Sequence, residues 1–190
     1  MMFGPMLNGR IKEDGTFTIS NVAADRYNFA MFGLPDGFYL KSIRSGDDEV
    51  LTSGLDMSKG AGGPIEIVLS PNAGQAEGVL QNDKQQPATG VTVVMVPQEK
   101  ERRDQIQYYK TVTTDQYGRF TLKNLDPGEY KVFAWEDVET GAYMDPEFMK
   151  PVESLGESVT IRENSKELLK LKLIPAEAAP AGDKGKAAAN

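Results

Sequence analysis

Short apolar-polar alternations separated by turn residues run through this chain. Phe120, Leu122 and Leu125 precede Pro127-Gly128, and Tyr130, Val132 and Ala134 follow it. Period-two alternation on both sides of a Pro-Gly pair predicts strand, tight turn, strand. Pro127 presets φ at the first turn position, and Gly128 tolerates the positive φ that a type II turn needs next. Val91, Val93 and Met95 alternate with Thr92, Val94 and Val96 in a β-branched run closed by Pro97, which predicts a well-buried strand. Leu169-Lys170-Leu171-Lys172-Leu173 reads as one strand, apolar in and polar out, stopped by Pro175. Turn signals at Asn82-Asp83-Lys84, Asp115-Gln116-Tyr117-Gly118 and Asp126-Pro127-Gly128 separate these runs as in a β-sandwich. No segment carries a 3.6-residue apolar stripe, and residues 104–109 are read as loop and strand rather than helix.

The pattern repeats. Gly15-Thr16-Phe17-Thr18-Ile19-Ser20-Asn21-Val22 reappears as Gly118-Arg119-Phe120-Thr121-Leu122-Lys123-Asn124-Leu125, an offset of 118 − 15 = 103, and Tyr27 matches Tyr130 at the same offset. Ile65, Ile67, Leu69 and Pro71 match Leu169, Leu171, Leu173 and Pro175 at 104, so one inserted residue reconciles the two blocks. Ordered matches of this kind predict two copies of one module of about 100 residues, a normal domain size. The expected division is a first module over 1–72, a second over 73–175 and a tail over 176–190.

Residues of the second copy carry a family resemblance. Gly78-Val79-Leu80, Pro87, Gly90, Val91 and Val93 are followed by Thr114-Asp115-Gln116-Tyr117-Gly118-Arg119-Phe120-Thr121-Leu122 and by Leu125-Asp126-Pro127-Gly128-Glu129-Tyr130-Lys131-Val132. Together they resemble bacterial carboxypeptidase regulatory-like domains. That resemblance implies an all-β, transthyretin-like Greek-key sandwich, grouped with carbohydrate-binding-like folds, in large surface or secreted bacterial proteins. The match is good over 74–175 and looser over 10–71, where Ala23-Ala24-Asp25-Arg26 replaces the Pro-Gly turn. Gln85 stands where the family usually has Gly. The family name implies no peptidase, because metallocarboxypeptidases bind zinc through His.

Composition narrows the chemistry. Of the 190 residues 21 are Lys or Arg and 28 are Asp or Glu, a net charge of −7, with neither His nor Cys. Thiol nucleophiles, disulfides, Ser-His-Asp triads and zinc sites built on His or Cys therefore have no parts. An acidic chain lacks the basic footprint of nucleic-acid binding. No apolar stretch approaches the ~20 residues of a membrane-spanning helix. The reading is a non-catalytic module with no cofactor, no metal, no nucleic-acid partner and no membrane insertion. Asp47-Asp48-Glu49 and Asp56 are hard-oxygen ligand types, but no calcium-loop pattern frames them, so they are read as solvated turn residues. Lys100-Glu101-Arg102-Arg103 is read as a mixed-charge loop. The last strand, 169–174, offers no Asn for a Lys-Asn isopeptide bond.

One cluster of side chains invites a binding hypothesis. Trp135, the single Trp, is followed by Glu136, Asp137, Tyr143 and Phe148. Aromatic faces flanked by carboxylates can stack on a sugar ring and hydrogen-bond its hydroxyls. The competing reading, which is preferred, has Trp135 covering one end of the core while the loop packs on it. Phe32-Gly33-Leu34-Pro35-Asp36-Gly37-Phe38-Tyr39 is the matching aromatic-acidic loop of the first copy. Two functions follow: a structural spacer or interaction module whose partner is a protein at the cell surface, or a carbohydrate-binding module whose partner is a glycan. Because the second copy opens near Gly74, the first would open at 74 − 103 = −29. The first module is therefore expected to be N-terminally truncated, with Met1 to Leu7 as a short replacement strand. An exposed edge inviting strand-to-strand self-association follows. Any leader would then lie upstream, and an extracellular, periplasmic or cell-surface location is expected. After Ile174 the chain has no large apolar residue, so the tail over 176–190 is expected to be disordered.

Overall fold

A computed structural model describes residues 9–58, 60 and 63–176. The replacement strand expected over 1–7 lies outside those residues, as does the expected tail apart from Ala176.

Among the described residues of the N-terminal half five strands form: β1 (Arg26–Tyr27), β2 (Tyr39–Ser45), β3 (Asp48–Glu49), β4 (Leu55–Asp56) and β5 (Ile65–Ser70). β2 pairs antiparallel with β3 and β5, and β1 pairs with β4. Leu40, Ile43, Val50, Leu51 and Leu55 make their core, and Ile65, Ile67 and Leu69 of β5 pack against it.

The C-terminal half is a sandwich of eight strands: β6 (Gly74–Val79), β7 (Thr92–Pro97), β8 (Lys110–Thr113), β9 (Arg119–Leu125), β10 (Gly128–Trp135), β11 (Glu157–Ile161), β12 (Lys166–Leu169) and β13 (Leu173–Ile174). One sheet runs β11-β10-β7-β8 with β13 parallel to β10, and the facing sheet runs β12-β6-β9. Ala76, Leu80, Phe120, Leu122, Tyr130, Val132 and Ala134 fill the space between them. Phe120 sits opposite Gly78, whose lack of a side chain leaves room for the ring. The all-β sandwich expected from the alternation is the fold.

β7 and β10 are buried on both faces. Val93, Met95, Val132 and Ala134 point into the sandwich, while Val94, Val96, Phe133 and Trp135 point away from it into a second core. That core is closed by residues 138–152, which include the single-turn helix α2 (Pro146–Met149). Two-faced burial explains why the Val91–Val96 stretch is apolar almost without interruption.

Four features correct the sequence reading. Short helices occur at α1 (Lys100–Arg103), at α2, and as 3₁₀ turns at Ile106–Tyr108, Ala142–Met144 and Glu153–Leu155. One turn is too short to show a stripe; α2 is held instead by its cap, where the Asp145 carboxylate accepts from the Glu147 N–H at 2.9 Å and Pro146 starts the helix. The single strand read over 169–173 is two. Leu169 pairs with Gly78 in one sheet and Leu173 with Ala134 in the other, so the chain crosses the sandwich at 170–172. The Pro127-Gly128 turn is not type II, because Gly128 has φ 159° and opens β10; the left-handed residue is Asn124, φ 54°. Finally, residues 16–24 form no strand; Phe17 and Ile19 are only half-buried.

Local geometry nevertheless matches at several positions of the paired sequence blocks. The Gly118 N–H donates to the Asp115 carbonyl at 2.9 Å, and Asp115 N–H to the Arg119 carbonyl at 2.9 Å; the same bonds join Gly15 to Lys12 at 3.0 Å and Lys12 to Thr16 at 2.9 Å. Asn21 (φ 60°) matches Asn124 in the left-handed region. Arg26↔Asp56 and Tyr27↔Leu55 in β1 and β4 reproduce Glu129↔Thr160 and Tyr130↔Val159 in β10 and β11. Gln85 has φ 59°, the conformation Gly adopts without steric cost.

Candidate functional site

The cluster around Trp135 lies in the second core. Trp135 is fully buried and stacks on Phe133, with centroids 5.1 Å apart at 16°. Phe148 meets it at 6.4 Å, and Tyr143 is 9% exposed. Among the described residues, Trp135 and Tyr143 therefore present no open face on which a sugar ring could stack, and Trp135 Nε1 is buried without a hydrogen-bond partner. Glu136 and Asp137 remain on the surface, where the Glu136 carboxylate accepts from Ala176 N–H at 3.3 Å.

The acidic and basic runs have local uses. Glu49 Oε1 accepts from the Leu51 N–H at 3.0 Å, and Asp56 Oδ1 from the Ser58 N–H at 2.9 Å. Arg102 pairs with Glu99 at 2.7 Å and Arg103 with Glu153 at 3.7 Å.

Polar side chains converge instead at the junction between the two halves. Asn124, at the end of β9, clamps the loop 34–37: its Oδ1 accepts from the Gly37 N–H at 2.9 Å, and its Nδ2 donates to the Pro35 carbonyl at 3.0 Å. Beside it Lys123 Nζ meets Asp36 Oδ2 at 2.8 Å. Left-handed backbone at Asn124 and at Gly37 (φ 85°) aims these groups at each other. Further along, the Tyr39 hydroxyl donates to Glu163 Oε1 at 2.7 Å, and Lys41 Nζ reaches the same oxygen at 3.3 Å. These bonds hold the Glu163 carboxyl below its ordinary range, the hydrogen bond from Tyr39 first. Gln105 Nε2 donates to the Thr52 carbonyl at 3.0 Å.

Between these contacts lies a cleft of about 320 Å³, lined among others by Tyr39, Lys41, Glu49, Arg102, Tyr108 and Asp126. The Arg102 guanidinium lies 4.6 Å over the Tyr108 ring and donates to the Pro127 carbonyl at 2.9 Å. Asp126 is 8% exposed; burial pushes its carboxyl above the ordinary carboxylate value, opposed by Lys110, 3.8 Å away, and by Arg102. Among the described residues no group of three His, Cys, Asp or Glu could hold a metal ion. The junction binds one half to the other.

Sequence reasoning had Asp36 in an aromatic-acidic loop but missed Lys123, Asn124 and Glu163. A signal existed: Asn21 and Asn124 are identical at the offset of 103, one of two polar identities in the matched block with Thr18 and Thr121.

A model of the second β-sandwich domain of the NOMO1-like BOS complex subunit matches residues 75–139, about a third of the chain. Serine-aspartate repeat-containing protein D of Staphylococcus aureus (strain Newman) is 28% identical over 135 residues, 64% of this chain and 10% of that protein. The chain thus spans about a tenth of the curated relatives it matches. Among solved structures, a streptococcal ancillary pilin is 17% identical, covering 75% of this chain and 45% of its own, at TM-score 0.35. The Bacillus cereus major pilin subunit BcpA*(D312A) is 12% identical, covering 91% of this chain and 78% of its own, at 0.33. A carbohydrate-binding candidate from Pseudomonas aeruginosa, PA1324, is 15% identical, covering 55% and 88%, at 0.29. Among the described residues no helix is long and apolar enough to cross a membrane.

Proposed function

We propose that the chain is a non-catalytic spacer or interaction module of a bacterial surface or secreted protein, built from two tandem sandwich modules of the carboxypeptidase regulatory-like kind, 1–72 and 73–175. The observation that carries this reading is the junction. Its directional bonds, Asn124 to Gly37 and Pro35, Lys123 to Asp36 and Tyr39 to Glu163, come from both halves and suit one fixed relative orientation. A spacer needs such an orientation, because freely jointed domains transmit neither reach nor direction. Its partner is a protein at the cell surface. Carbohydrate binding gains no support from the second core, where Trp135 packs inward. NMR relaxation of backbone amides tests the spacer: both halves should share one rotational correlation time, and the double substitution Lys123→Ala, Asn124→Gly should separate them. Independent tumbling of the halves in the unmodified chain would overturn the reading.

A further inference from the structure

Each of the two sides of the Asn124 clamp has a counterpart that is unoccupied among the described residues. The receiving loop 34–37 forms a turn in which the Phe38 N–H donates to the Pro35 carbonyl at 3.1 Å, with Gly37 at φ 85°. At the offset of 104 the same turn recurs: the Ala142 N–H donates to the Glu139 carbonyl at 3.0 Å, with Gly141 at φ 90°. Among the described residues, however, the Gly141 N–H has no acceptor. The clamp recurs as well. Asn21 shares the left-handed backbone of Asn124, is exposed, and makes no side-chain hydrogen bond among the described residues. Glu139 and Thr140 are exposed beside Gly141.

We propose that Asn21 of one copy of this chain docks on the 138–141 turn of a second copy, repeating between molecules the contact that Asn124 makes with 34–37 inside one. Asn21 Oδ1 would accept from the Gly141 N–H, and its Nδ2 would donate to the Glu139 carbonyl, which corresponds to that of Pro35. Taken one contact per pair of molecules, as the internal contact is made, the association is head-to-tail and open; two reciprocal contacts would instead close a twofold dimer. It is weaker than the internal junction for two reasons. Ser20 and Thr140 stand where Lys123 and Asp36 make an ion pair, and covalent linkage gives the internal contact a high effective concentration.

Sedimentation equilibrium of the full chain, from roughly 10 µM to about 1 mM, tests this over the concentration range of a weak contact. Average mass should climb with concentration without levelling at a dimer. Asn21→Gly keeps the left-handed backbone and deletes the clamp; it should weaken association roughly tenfold or more. Thr140→Trp, on an exposed turn, should block the other side to the same extent. Mixed together, the two variants should form 1:1 pairs and stop there, since each retains one working surface. A thermal melt of each variant at low concentration, matching the parent, separates lost docking from lost folding; if Asn21→Gly melts early, the Thr140→Trp result decides. A constant monomer mass, a plateau at the dimer, or association unchanged by both substitutions would overturn the proposal.

Discussion

The hydroxyl of Tyr130 donates to the carbonyl oxygen of Asp126, four residues back, at 3.0 Å. Tyr27 does the same to Ala23 at 3.2 Å. The bonds are alike but their surroundings are not: Tyr130 is 2% exposed and also accepts from Arg102 Nη1 at 3.4 Å, whereas Tyr27 is half-buried. Tyr130→Phe leaves buried groups without a partner and should cost about 1–2 kcal/mol, while Tyr27→Phe, where water can replace the bond, should cost less than about 0.5 kcal/mol. Urea titrations of both variants check the order.

Phe120 is 3% exposed against Gly78 in the main core. Phe120→Ala should destabilise the C-terminal half by roughly 3–5 kcal/mol, the transfer cost plus the cavity left behind. A loss below about 1 kcal/mol would reject this packing.

Trp135 reports on the second core. With no exposed surface and Phe133 stacked on it, its emission should be blue-shifted and resistant to iodide, and oligosaccharides should leave it unchanged. Red-shifted, readily quenched emission would mean that the 138–152 cover opens in solution.

Asp126 gives a pH signature whose sign is fixed by burial. Its folded pKa lies above the ordinary carboxylate value, chiefly through desolvation, so the folded chain holds the proton more tightly than the unfolded one. The stabilisation from the neutral carboxyl is complete below the unfolded value and is lost as pH rises through the folded value. Asp126→Asn imitates the neutral form at every pH. Unfolding free energies measured from about pH 7 to about pH 4 should shift in favour of the parent, relative to this variant, as the carboxyl takes up its proton. A shift of opposite sign would mean that Lys110 and Arg102 outweigh desolvation.

Hydrogen exchange should rank the two copies of the repeated block. β10 is bonded on one side to β7 and on the other to β11, and β9 to β6. Residues 16–24 join no ladder among the described residues. Amides of 128–135 should exchange slowest and those of 16–24 much faster. Equal protection in the two blocks would show the first to be as firmly paired as the second.

Local signals carried most of the all-β reading. Period-two alternation over 91–97 and 120–134 specified strands because a strand has one choice of face per residue, and the 103-residue repeat specified matching turns because a short turn is set by its own residues. Gly15 and Gly118, Asn21 and Asn124, Tyr27 and Tyr130 adopt like conformations for that reason. Long-range partnership was not legible. Residues 169–173 alternate as a single strand would, yet the chain crosses between sheets there because Gly78 and Ala134 offer partners on opposite sides of the sandwich. Trp135 is preferred from the sequence as a packing residue under the loop that follows it; that it faces away from the sandwich into a second core closed by residues 138–152 was not legible, because one-turn helices leave no periodic trace. The junction was hidden for the same reason. Asp36 and Lys123 are 87 residues apart, and only the packing of one half against the other makes an ion pair of two ordinary charges.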